Sequence, residues 1–175
     1  MGKTEENLKA AFAGESQARN KYTFFAKVAR KEGYHYIAKI FEETADNEMQ
    51  HAKDEFKLLN GIGDTIANLK EAINGEDYET TKMYPTFAKE AKEEGCKDAA
   101  YLFSQIGKVE EHHRDRYKRL LEMVENGTAY KRNQSIKWKC IKCGYVANGT
   151  EPPKNCPACK HPKEYFEPTD MDMTS

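Results

Sequence analysis

The residues of this chain best suited to chemistry are glutamates and histidines one helical turn apart, and cysteines in pairs. In Glu110-Glu111-His112-His113 the outer two residues share one helical face, and Glu48-Met49-Gln50-His51 repeats the spacing. Each Glu-x-x-His pair offers one imidazole and one carboxylate able to bridge. Two such pairs on separate helices give half of what two iron or manganese ions need inside a helical bundle. Near the C-terminus, Trp138-Lys-Cys140-Ile-Lys-Cys143-Gly144-Tyr145 and Cys156-Pro157-Ala-Cys159 form two knuckles whose thiolates have tetrahedral metal-ligand spacing. Zinc and a single iron both accept four sulfurs, so ligand type leaves the metal open. Zinc would make the module a structural staple, and iron would make it a one-electron carrier.

The elements that must position these groups follow from apolar periodicity. A first helix capped by Thr4 carries Leu8, Phe12, Ala18, Tyr22, Phe25 and Ala29 and ends near Gly33, with Glu15 on the inward stripe. A second, from about Tyr34 to Asn60, sets Ile37, Phe41, Ala45, Ala52, Phe56 and Leu59 on a stripe that passes through Glu48 and borders His51. Residues 64–74 read as a crossover with a short helix of its own, closed by Gly75. A third helix over 76–94 has Glu76, Glu79, Met83, Phe87 and Ala91 inward, and Pro85 predicts a kink or break within it. A fourth, from about Lys97 to Asn126, runs its stripe through Glu110 and His113. Cys96 follows the Gly95 turn alone and reads as filling a small buried space.

The two halves also match each other at one constant shift. Tyr22 meets Tyr84, Phe25 meets Phe87, Gly33 meets Gly95, Phe41 meets Phe103, Glu48 meets Glu110 and His51 meets His113. Glu15 falls opposite Asp77, one place from Glu76, so the remaining carboxylate matches only approximately, a slip that a local helix irregularity would absorb. The repeat predicts two helical hairpins, each bringing a Glu on its first helix and a Glu-x-x-His on its second, closing around a shared axis on which the metals lie. Inward carboxylates at positions 15, 48, 76, 79 and 110 need compensating positive charge, and hard carboxylates with imidazole suit iron or manganese. Tyr22 and Tyr84, inside the stripes, read either as hydrogen-bond donors to metal-bound carboxylates or as ordinary aromatic core.

Composition narrows the class. The chain has 175 residues, a formal net charge of -1 and 33% charged residues, with a mean hydropathy of -0.91. The near-neutral balance gives no electrostatic case for nucleic acid or an anionic membrane. No apolar run is long enough for a bilayer, and Met1 to Ala11 lacks signal-peptide character, so a cytoplasmic, membrane-free protein is expected. Four of the five cysteines lie in the two Cys-x-x-Cys pairs, which in a reducing compartment reads as metal ligation. The expected domains are a bundle over 1–127, a linker over 128–136 and a small metal module over 137–175.

Taken together, Gly14-Glu15-Ser-Gln-Ala-Arg-Asn-Lys-Tyr22, Glu43 to Lys53, Met83-Tyr84-Pro85-Thr-Phe-Ala, Glu110-x-x-His113 and the two cysteine knuckles resemble the rubrerythrins over nearly the whole length. The resemblance implies an all-α, ferritin-like four-helix bundle with a long crossover, holding two non-haem iron ions. A rubredoxin-like C-terminal β domain with one iron on Cys140, Cys143, Cys156 and Cys159 would follow it. By position, one iron would take Glu15 and the other Glu76 and His113, with Glu48 and Glu110 bridging. The first would exchange His51 for Glu79 between reduced and oxidised states. The segment before Glu76 is shorter than in some family members. The resemblance further implies a cytoplasmic hydrogen peroxide reductase supplied by an NAD(P)H-dependent reductase or a rubredoxin-type donor. It implies too a homodimer in which one subunit's thiolate domain serves the other's di-iron site. A ferroxidase or iron-storage subunit would use the same bundle ligands, but has no evident use for an appended one-electron donor.

Overall fold

Residues 2–170 are described by a computed structural model. Helices α1 (Lys3–Lys31) and α2 (His35–Leu58) form a first hairpin. Their buried residues are all alanines, Ala26 and Ala29 on α1 and Ala38, Ala45 and Ala52 on α2, small enough to let the two backbones approach closely. Thr4 does not cap α1. The helix starts at Lys3 with Gly2 at the cap position, two residues earlier, and the Gly2 carbonyl accepts from the Glu5 and Glu6 amides at 3.0 and 3.3 Å. Those two acidic residues then sit in the first turn, where the helix dipole favours negative charge. At the other end Gly33 takes φ 87°, and the Tyr34 amide reaches back to the Ala29 carbonyl at 2.8 Å, a Schellman closure that only a left-handed residue permits cheaply.

The second hairpin repeats the design. Gly95 has φ 78°, the Cys96 amide bonds the Ala91 carbonyl at 2.8 Å, and α5 (Lys97–Glu125) returns along its partner. That partner is longer than the sequence pattern predicts. The segment read as a crossover is helical, but α3 (Thr65–Tyr78) does not stop at Gly75. It continues through a π-helical segment, Glu79–Met83, into α4 (Tyr84–Glu93). A mid-helix glycine costs only about 1 kcal/mol, and α3 packs against α5, so tertiary contact outweighs the weak local stop. Pro85 lies at the start of α4 rather than inside a regular helix, where the hydrogen-bond register is already changing and its missing N–H is tolerated. Cys96 is exposed at the mouth of the turn, not buried as its isolation suggested.

The C-terminal module is a three-stranded antiparallel sheet of order β2-β1-β3, with β1 Ile136–Cys140, β2 Val146–Gly149 and β3 Phe166–Pro168. Its core is Trp138, Cys140, Cys156 and Phe166. The Trp138 indole donates to the Gly149 carbonyl at 3.0 Å, and the Arg132 guanidinium lies 5.3 Å from its ring centroid. With two of four core residues cysteine, the module depends on its metal for a filled interior. The chain as a whole divides into two compact units at Asp64, the first hairpin forming one and everything from Thr65 onward the other.

The first hairpin ends in a tight turn. A Cβ on Gly61 would fall 2.1 Å from the Phe56 ring, and that ring is itself stacked on Phe12 at 4.7 Å. Gly61→Ala should therefore destabilise the protein by about 1–3 kcal/mol through overpacking, read as a lowered midpoint in chemical denaturation with unchanged slope.

Candidate metal centres

Two Glu-Glu-His groups stand in the helical hairpins, one in each. In the first, Glu15 on α1 and Glu48 and His51 on α2 bring ligand atoms within 4.8 Å of one another, and in the second Glu76 on α3 and Glu110 and His113 on α5 do the same. His51 Nδ1 is 2.9 Å from Glu48 Oε2 and 3.9 Å from Glu15. His113 Nδ1 is 2.7 Å from Glu110 Oε2 and 3.6 Å from Glu76. The near-identity of these pairs is the internal repeat realised in space. It extends to the aromatic residues beside each group: Tyr22, Phe25 and Phe41 cluster with centroid distances of 5.7 to 6.3 Å, and Tyr84, Phe87 and Phe103 cluster at 5.6 and 6.2 Å.

The π segment resolves the one misfit in the repeat. It inserts an extra residue between Glu76 and Tyr84 relative to the stretch from Glu15 to Tyr22, so Glu76 takes the ligand position although Asp77 is the sequence match. Asp77 instead pairs with Arg114 at 3.3 Å, alongside Asp115 at 2.9 Å. Glu79, in the same segment, raises the pKa of both Glu76 and Tyr84 through its charge, which places it nearby without joining the tight group.

The electrostatics of each group fit a bound cation. Hydrogen bonding with Glu48, then burial and the Glu48 charge, hold Glu15 above the usual carboxylate range. Burial and the Glu110 charge do the same for Glu76. A divalent ion set among these oxygens removes that repulsion, while histidine, neutral as a ligand, does not. Sequence reasoning missed Glu55. One turn beyond His51 on α2, it adds its charge to Glu15, and its Oε2 is buried without a hydrogen-bond partner. The signal was its position a full heptad after Glu48 on the same stripe. As the stripe predicted, His112 and Glu111 are exposed and take no part.

The four cysteines of the C-terminal module gather with all sulfurs within 4.8 Å. Cys140 and Cys159 are 3.7 Å apart, and Cys143 and Cys156 are 3.6 Å apart. A tetrahedron with metal–sulfur bonds of about 2.3 Å has edges of about 3.8 Å, so these thiols already stand at coordination distance. Burial pushes Cys156 up, but the backbone amides of Cys159 and Ala158 aimed at its sulfur outweigh it and lower the thiol to about 7. Amide donors of this kind are what tune an iron–thiolate site. Each knuckle closes on a left-handed residue: Gly144 at φ 77°, whose amide bonds Cys140, and Lys160 at φ 64°, whose amide bonds Cys156. Lysine, not glycine, takes this left-handed position in the second knuckle.

Two predictions follow from this geometry. Lys160→Gly should stabilise the module by about 1 kcal/mol, because a non-glycine residue held left-handed is strained by roughly 1–2 kcal/mol; thermal unfolding of the metal-loaded protein reads it. Glu76→Gln should weaken metal binding in the second hairpin by at least about 10–100-fold, whereas Asp77→Asn should leave ferrous affinity unchanged in an anaerobic titration.

Comparison with known proteins agrees with the two kinds of centre. The Rubrerythrin family matches residues 6–121, and the family described as "Rubrerythrin, rubredoxin-like domain" matches residues 138–167. The chain is 51% identical to a rubrerythrin of Porphyromonas gingivalis, covering 95% of this chain and 90% of that protein. It is 49% identical to rubrerythrin-1 of Clostridium acetobutylicum, covering 94% and 93%, and 46% identical to a rubrerythrin of Nitratidesulfovibrio vulgaris, again 94% and 93%. The helical part is thus of the ferritin-like, di-iron kind, with a rubredoxin-like four-cysteine site after it. With its repeated Glu-Glu-His groups, its π-shifted third helix and its four-thiolate module all in place, this chain belongs to the rubrerythrin family.

Proposed function

We propose that the chain reduces hydrogen peroxide to water, two electrons and two protons converting each peroxide to two waters. The observation that carries this reading is the pairing in one chain of carboxylate–imidazole groups suited to a two-metal site with a thiolate site suited to one-electron delivery. Two ferrous ions bound by the helical groups would supply one electron each to the O–O bond.

The side chains divide that work. Glu48 and Glu110 would be the carboxylates shared between the ions, with Glu15 a ligand to one and Glu76 and His113 ligands to the other. His51 and Glu79 would be alternative ligands to the first ion, the neutral imidazole suited to its lower charge and the anionic carboxylate to its higher one. Burial, reinforced by the charges of Glu79, Glu110 and Glu76, raises the Tyr84 phenol, so it stays protonated and can donate a hydrogen bond to a ligand carboxylate. Tyr22, its repeat partner, takes the equivalent place. Electrons return singly through Cys140, Cys143, Cys156 and Cys159 from an NAD(P)H-dependent reductase or a rubredoxin-type donor. The working protein is a cytoplasmic homodimer, in which residues 1–127 hold the di-iron centre and 137–175 form the relay. Among the described residues no helix is long and apolar enough to cross a membrane.

Stopped-flow mixing of the anaerobically reduced protein tests the reaction. Peroxide should oxidise the iron pair faster than oxygen does; faster oxidation by oxygen would instead favour an iron-oxidising role. Cys156→Ser should abolish the red iron–thiolate spectrum and cut donor-driven turnover by at least about 100-fold, beyond the loss from disturbing an outer-shell group. It should leave one stoichiometric reaction with peroxide intact. Undiminished multiple turnover in that variant would rule out the relay.

A further inference from the structure

A glycine in a helix interior weakens the helix relative to alanine, so each one raises the question of what a methyl group would strike there. Gly14 in α1 and Gly75 in α3 have nothing within 4 Å of an added Cβ. Gly107, inside α5, differs: a Cβ there would stand 3.2 Å from the Cβ of Tyr84. The obstacle is the root of a side chain, fixed to the backbone of α4, and not a flexible tip that could swing away. Alanine at this position fits only if Tyr84 gives way by a few tenths of an ångström.

Tyr84 is also the residue at which the third rod returns to regular geometry. The π-helical segment ends at Met83 and α4 begins with Tyr84, so the extra residue of the π turn sets the angle at which this side chain leaves the rod. At the constant shift of the internal repeat, Tyr84 falls opposite Tyr22 and Gly107 opposite Ala45. The first hairpin runs as regular α-helix and keeps the methyl of Ala45 buried on α2. The second has both the irregular turn and the missing methyl. These two features are complementary, the turn advancing Tyr84 toward α5 and the glycine leaving room for it.

The face on which they meet gives the contact its use. Gly107 and Glu110 are one helical turn apart and so lie on the same side of α5, and Glu110 gathers with Glu76 and His113 in the second metal-ligand group. Burial, then the charges of Glu79, Glu110 and Glu76, act on the Tyr84 phenol, which puts it near these carboxylates. Its ring packs on Phe103 of α5 with centroids 6.2 Å apart. With the ring anchored there, a displacement at Cβ is passed on to the hydroxyl. Tyr84 and Gly107 also line a cavity of about 310 Å³ with Thr80, Pro85 and Ser104, so the tyrosine has space to yield and a variant at 107 has a way to fold.

We infer that Gly107 is a positioning residue: by omitting a side chain opposite the residue that leaves the π segment, it lets α4 close on α5 and sets the Tyr84 hydroxyl against the carboxylates of the second metal-ligand group. It acts through Tyr84, having no side chain of its own to offer a metal. Tyr84 thereby has a support that Tyr22 lacks, since Ala45 stands where the glycine would be. The catalytic consequence rests on the reading of Tyr84 as hydrogen-bond donor to a ligand carboxylate; the placement of the tyrosine does not.

Magnetic resonance of the full chain, loaded with diamagnetic zinc in place of iron and labelled with carbon-13 at the tyrosine phenol carbon, tests the placement. Tyr84 is assigned by the resonance lost in Tyr84→Phe. Gly107→Ala should move that resonance and leave the one from Tyr22 in place; an unmoved Tyr84 resonance in the folded variant overturns the inference. A second measurement needs no variant at position 107: the Gly107 α-protons should show strong cross-relaxation with the Tyr84 β-protons, and its absence overturns the contact. Donor-driven turnover of the iron-loaded protein reads the consequence. Tyr84→Phe should lower it about 10–100-fold, the usual loss for an outer-shell partner. Gly107→Ala should lower it by part of that factor, and the double variant should fall no further than Tyr84→Phe alone. Losses that multiply would mean that Gly107 acts otherwise than through the tyrosine, which contradicts the proposal. Full turnover in Tyr84→Phe, with the resonance still displaced by Gly107→Ala, would overturn the hydrogen-bond role of Tyr84 while upholding its placement, so the two failures are distinguishable.

Discussion

The structure depends on the cost of placing carboxylates where water is scarce. Glu15 and Glu48, and Glu76 and Glu110, are pressed together in pairs, and one member of each is raised above its ordinary pKa, Glu15 by its hydrogen bond with Glu48, then burial and repulsion, and Glu76 by burial and repulsion. Left alone, such groups destabilise the helices that carry them. Metal ions of charge two or three convert the same arrangement into a bond that ties helix to helix. The helical part accordingly gains its specificity from the metal groups and the aromatic clusters beside them. Its alanine seams, close though they are, bury little apolar surface each. The C-terminal module follows the same logic, with two of its ligands, Cys140 and Cys156, doubling as its core.

The internal repeat gives this arrangement its economy and its one asymmetry. Both hairpins close through the same Schellman turn, carry the same aromatic trio and present the same Glu-x-x-His pair. They differ at the third rod, where the π segment turns Asp77 toward Arg114, sets Glu76 in the ligand position and brings Glu79 close by. A π segment is strained relative to regular helix and persists only where surrounding contacts hold it. Here it adds an acidic residue to one hairpin that the other lacks.

Much of this was legible from residue order. Glu48, His51, Glu110 and His113 are singled out by helical spacing together with the repeat, and the cysteine knuckles by their own spacing; each Glu-x-x-His pair gathers with a further Glu inside its own hairpin, and the four cysteines gather in their module. Even the irregularity was foreshadowed by the one-residue slip between Glu15 and Glu76. What local rules missed was decided by tertiary contact. Gly75 reads as a stop but is carried through by packing of α3 on α5, which moves a presumed crossover into the third rod. Lys160 was invisible as a turn residue because lysine rarely adopts a left-handed backbone. Glu55 looked like one more solvated glutamate, since an orphaned buried oxygen shows only in three dimensions.

The most direct test of the account is the metal inventory of wild-type protein purified without air from cells given native metal supply. Mössbauer spectroscopy with iron quantitation should find about three irons per chain, one in a four-thiolate site and two as an exchange-coupled pair once oxidised. One iron per chain with no coupled pair, or zinc in the thiolate site, would contradict it.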